Sequence, residues 1–124
     1  MFMLRIVAVL LIAWEPARFA IEALTVVPTI AYRGAAAALE LAIHGCVAAL
    51  AAAAGLALWN AAPDGRKLAT IAVAASLLRT IQSLYWSSLP NDTPPGDEQI
   101  YAGLACAWAA GAMIVIRRAT ERPT

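Results

Sequence analysis

The chain has 124 residues, 62% of them hydrophobic and 14% charged, with a formal net charge of +1 and a mean hydropathy of +0.72. This is more apolar surface than a soluble domain of the same size can bury, so the expected solvent is lipid. One Lys stands against eight Arg with no basic run, which argues against nucleic acid as a partner, because phosphate binding needs clustered cations.

A helix needs roughly 20 mostly apolar residues to cross the hydrocarbon core. The first candidate, about residues 3–25, is interrupted by Glu15-Pro16-Ala17-Arg18. Arg5 followed by a short apolar run resembles a leader segment, but no small-x-small cleavage site follows Trp14. The preferred reading is a membrane helix kinked or broken near Pro16, whose ring displaces the carbonyl of Ile12. In a variant of it the span stops near Trp14 and residues 17–27 lie along the interface. The second span, about 34–59, is nearly continuous Ala, Leu, Ile and Val. The third, about 68–89, follows the breaker Pro63-Asp64-Gly65, and the fourth, about 99–116, follows the Pro90 to Gly96 stretch. The expected fold is therefore all-α: a single membrane domain over 1–124, an integral membrane four-helix antiparallel bundle.

Charge at the span ends sets the orientation. Arg5, Arg66, Lys67, Arg117, Arg118 and Arg122 flank one side, and the loop between spans three and four carries Asp92, Asp97 and Glu98. The positive-inside rule then places both termini in the cytoplasm, with only Arg33 in opposition. Tyr32, Tyr85, Trp86 and Tyr101 fall near the outer boundary and Trp59 near the inner one, as an interfacial aromatic belt requires. Abundant Ala and the preference for Arg over Lys suit a GC-rich bacterial source, hence a multi-pass protein of a bacterial inner membrane.

Polar residues inside the spans carry the most information, because a charge at the bilayer centre costs from about 2.5 kcal/mol upward. Glu15, Arg18 and Glu22 follow at i, i+3 and i+7. Glu40 and His44 are four apart, and Arg79 and Gln82 three apart, so each of three helices presents one polar stripe in the outer half of the bilayer. The expectation is an interior network in which Arg79 and Arg18 neutralise Glu40 and Glu15, with His44 and Gln82 completing the hydrogen bonds. Two readings stand side by side. The network fixes helix register and a single assembly, or one carboxylate, Glu15 or Glu40, loads and releases a proton or cation. A metal at Glu40 and His44 lacks further ligands.

Span four carries no charge between Gln99 and Ile116 but spaces Gly103, Ala107 and Gly111 four apart. That small-xxx-small seam lets helix backbones approach closely; packing within the bundle is the expectation, a homo-oligomer or membrane-complex interface the alternative. Span two repeats the pattern with Ala51 and Gly55. Cys46 and Cys106 are isolated, the chain has one His, and no phosphate loop, nucleophile elbow or zinc helix is present. No cofactor or metal is expected. The short length and the acidic residue early in span one resemble the small multidrug resistance exporters, four-helix proteins with an essential membrane-embedded Glu in their first helix. Glu15 is the matching position; Pro16, Arg18, His44 and Arg79 depart from that pattern, and the likeness ends there. The expected role is a non-catalytic accessory, assembly or sensing component. The alternatives are a small proton- or cation-coupled transporter and a membrane subunit of an enzyme complex.

Overall fold

The computed structural model describes residues 2–89 and 94–121, with side chains to Arg118. Its elements in order are α1 (Phe2–Val26), a 3-10 turn (Val27–Thr29), the single-turn helix α2 (Ile30–Arg33), α3 (Ala35–Trp59), α4 (Gly65–Tyr85) and α5 (Glu98–Glu121). No strand occurs among the described residues. Asp92 and Arg122, which contribute to the charge pattern along the chain, lie outside them.

α1 runs unbroken through Pro16, so a helix that stops near Trp14 is overturned. A proline inside a helix removes one backbone donor. Here the chain stays helical on both sides, and Leu11 and Glu15, on the N-terminal side of the proline, are buried. The helix gives way further on, where Pro28 sits in the 3-10 turn. Gly34, at φ +92°, then turns the chain into α3 in a conformation that L side chains rarely adopt.

α3 is rich in Ala and Leu, the strongest helix formers, and has no proline or internal polar run to stop it before Trp59. Its end closes as a Schellman motif: the Ala62 amide donates to the Ala57 carbonyl at 2.9 Å while Ala61 takes φ +54°. α4 ends at Tyr85, short of the Leu89 expected from hydropathy. The hydropathy signal runs on because Trp86 and Leu89 are apolar, but Ser87 and Ser88 leave the helix to make other hydrogen bonds.

α1 packs closely on α3, α3 on α4 and α4 on α5, while α1 and α5 meet only sparsely. A core of Val7, Ala8, Leu11, Ala51, Ala54, Leu58, Ala69, Ala72, Val73, Ala109, Ala112 and Ile116 fills one end. Val26, Ala37 and Leu89 form a smaller apolar cluster at the other. Small residues make the first cluster possible. A Cβ on Gly55 would stand 2.8 Å from the Ala8 carbonyl oxygen and 2.6 Å from Ile12 Cγ1, so α1 and α3 touch there at backbone distance.

The expected seam on α5 does not take part. Gly103, Ala107 and Gly111 are exposed, and a Cβ on either glycine would meet nothing within 4 Å. The face α5 turns inward carries Ala109, Ala112 and Ile116. Two residues advance an α-helix by about 200°, so a seam through Ala107 and a face through Ala109 lie on opposite sides. Packing of this seam within the bundle is therefore corrected.

The distribution of polarity is reversed relative to a water-soluble bundle. Glu15, Glu40, His44, Ser76 and Arg79 are buried, while Phe2, Ile21, Leu24, Leu39, Leu78, Ile100 and Leu104 are exposed. Three helices, α3, α4 and the Glu98–Arg118 part of α5, are long and apolar enough to cross a membrane.

Candidate functional site: a buried polar layer beside a cleft

Between the two apolar clusters the three polar stripes of α1, α3 and α4 converge, because each stripe continues the buried face of its own helix. All seven residues singled out in the sequence are brought together here, but their pairing differs from the expectation. Arg18 does reach Glu15, at 3.4 Å. Arg79 instead pairs with Glu22, Nη2 to Oε1 at 3.2 Å.

Glu40, expected opposite Arg79, takes part in no ion pair among the described residues. Its carboxylate is held by neutral donors: the Gln82 amide on Oε1, the Ser87 hydroxyl on Oε2 at 2.9 Å, and the Ser88 backbone N–H on both oxygens at 3.2 and 3.1 Å. The physical reason is the early end of α4. Once the chain unwinds after Tyr85, Ser87 and Ser88 fold back over Glu40 and satisfy it, leaving Arg79 for Glu22 one turn deeper.

His44, 1% exposed, links all three helices. Its Nδ1 lies 2.6 Å from Glu22 Oε1 and its Nε2 lies 3.0 Å from Gln82 Oε1. The Gln82 amide nitrogen also donates to the Trp86 carbonyl at 3.1 Å.

Hydroxyl groups complete the layer. Ser76 donates to Glu15 Oε1 at 2.5 Å, and Arg18 donates to Thr80 at 3.0 Å. The sequence reasoning missed both, although Ser76, Arg79, Thr80 and Ser83 sit at i, i+3, i+4 and i+7, the spacing that identifies a stripe. Extending the rule from charges to hydroxyls finds them. The Nε atoms of Arg18 and Arg79 are buried without a hydrogen-bond partner.

This layer forms one wall of a cleft. Because α1 and α5 barely meet, a cavity of ≈ 730 Å³ opens between α1, α4 and α5. Its polar wall is Glu15, Arg18, Glu22, Ser76, Arg79 and Thr80, and its apolar wall includes Leu10, Trp14, Leu104, Ala105 and Trp108. Trp108 thus faces the cleft. Among the described residues no three His, Cys, Asp or Glu side chains gather as a metal-holding group, and Cys46 and Cys106 are both exposed thiols.

Compared with known protein families, curated proteins and solved structures, the chain matches none.

Proposed function

We propose that the chain is a multi-pass protein of a bacterial inner membrane with four antiparallel spans and cytoplasmic termini. Its role on this reading is non-catalytic: a sensing or accessory component that takes up a membrane-soluble amphiphile between α1 and α5. The observation that carries it is the two-sided cleft. One wall is a layer of paired charges and hydroxyls, and the other is Leu and Trp, a pocket built to take a molecule with a polar end and an apolar chain.

Buried charges under a shell of exposed Leu, Ile and Phe support the lipid environment, since in water that apolar shell would be left unburied. Antiparallel packing is supported by the pairing of depths: residue 8 of α1 meets residue 55 of α3, while residue 22 meets residue 44. Arg5 stacks over Trp59 at 4.9 Å, an aromatic-cation pair of the kind found at a membrane boundary. Beyond lipid, the partner proposed is a second copy of the chain or a membrane complex. The outward Gly103, Ala107 and Gly111 leave α5 a face on which another helix can pack closely.

A second reading, a proton- or cation-coupled transporter, is favoured by the carboxylates that line the cleft, Glu15 and Glu22. One reconstitution separates the two. With the full chain in lipid vesicles, energy transfer from the tryptophans to a dansyl-labelled alkyl amphiphile should rise saturably, and Ala105→Leu, which narrows the cleft without adding a donor, should weaken the saturable part. A vesicle pH gradient should persist. The binding reading fails if transfer never saturates or is indifferent to Ala105→Leu; dissipation of the gradient by the chain would favour transport.

A further inference from the structure

The hydrogen bonds around His44 fix where its protons are. The Gln82 amide nitrogen faces two acceptors, a Glu40 oxygen and the Trp86 carbonyl. Turning the amide over would set its oxygen against both of them, so the orientation with nitrogen on that side is the only one that donates. Gln82 Oε1 is then the atom that faces His44 Nε2 at 3.0 Å. A carbonyl oxygen only accepts, so Nε2 carries a hydrogen.

A neutral imidazole with a hydrogen on Nε2 has a bare lone pair on Nδ1. Here Nδ1 stands 2.6 Å from Glu22 Oε1, and two lone pairs at that separation repel. One proton must lie between them. Arg79 Nη2 donates to the same Oε1, so that oxygen already serves as a carboxylate acceptor and the proton belongs on the imidazole. Charge agrees with this placement. The groups facing the pair are Glu15 and Arg18 from α1, Glu40 from α3, and Arg79 from α4 beside neutral Ser76, Thr80 and Gln82; α5 brings Tyr101 to the cleft and no charged side chain. With His44 charged, three cations meet three carboxylates; with His44 neutral, the buried layer keeps one carboxylate too many, which a low-dielectric interior penalises.

We propose that His44 and Glu22 form a proton-binding site inside the bundle, with His44 held as the imidazolium. The bound proton joins α1 to α3. Its loss turns the Glu22–His44 contact from attraction to repulsion and leaves an uncompensated carboxylate on the wall of the cleft, so the site acts as a proton-dependent latch. This goes beyond the amphiphile reading and does not depend on it.

The test uses the one histidine of the chain. In the full-length protein, 15N-labelled at histidine and reconstituted in bilayers at neutral pH, both ring nitrogens should show the shift of a protonated nitrogen. The Nδ1 proton should resonate far downfield, as expected for a short charge-assisted hydrogen bond. In Glu22→Gln the imidazole should revert to the neutral form, with one nitrogen bare. A bare nitrogen in the unsubstituted protein at neutral pH would overturn the proposal, as would an imidazolium that persists unchanged in Glu22→Gln. The first spectrum needs no substitution, so the proposal stays testable even if that variant fails to fold.

Discussion

α3 and α5 carry the same small-residue motif and use it in opposite ways. On α3, Ala51 and Gly55 lie in line with Ala37, Glu40, His44, Ala48 and Leu58, all buried, and α1 is drawn to backbone distance. On α5, Gly103, Ala107 and Gly111 are exposed, and a Cβ on either glycine would meet nothing within 4 Å. The difference is the polar stripe. Glu40 and His44 must face the interior to be paired, and helical periodicity carries Ala51 and Gly55 in with them. α5 has no such group, so nothing ties its seam to the inside, and apolar packing selects the Ala109–Ala112–Ile116 face. In this chain the motif permits close approach, and the charges decide which side is approached.

The largest way to break this contrast is to remove a charge. Arg79→Ala leaves Glu22 without its guanidinium in a buried layer, and loss of one member of a buried pair costs about 3–5 kcal/mol. Folded yield in detergent and the unfolding midpoint should both fall sharply. Next in size is the seam itself. Gly55→Val must push Ala8 and Ile12 away and should cost about 1–3 kcal/mol, the range for overpacking. Gly103→Val should lie within about 0.5 kcal/mol of the parent, as an unconstrained surface change does. Equal losses at the two glycines, read by thermal unfolding in the same detergent, would mean that both seams are engaged in one assembly.

The smallest effect belongs to the turn between α3 and α4. Ala61 occupies a left-handed conformation that costs an L residue roughly 1–2 kcal/mol, partly offset by the chain entropy that glycine loses on folding. Ala61→Gly should therefore raise stability by about 0.5–1 kcal/mol, without altering either seam. A destabilised Ala61→Gly would mean that the turn does not form as described.

Most of the long helices could be read from apolar run length and the breakers Pro63-Asp64-Gly65, and the convergence of Glu15, Arg18, Glu22, Glu40, His44, Arg79 and Gln82 from their spacing. Pairing could not, because spacing places a residue on a face but not at a height. Whether Arg79 meets Glu22 or Glu40 depends on how far α1 slides along α4 and on where α4 unwinds, and the apolar Trp86 and Leu89 hide that end. The persistence of α1 through Pro16 was equally hidden. Proline removes one donor, and whether the helix survives depends on the burial of Leu11 and Glu15 beside it. The orientation of α5 was invisible for a third reason: between Gln99 and Ile116 it carries no charged residue whose need for a partner would mark its inward face.

Buried ion pairing between α1 and α4 holds the polar layer together, and a double-mutant cycle on Glu22 and Arg79 tests this most directly. Glu22→Gln and Arg79→Gln should each destabilise strongly. The double variant should be more stable than their sum by about 1–3 kcal/mol, the coupling of residues in direct contact within one network. Strictly additive losses, with no coupling in the folded protein in bilayers or detergent, would contradict the account.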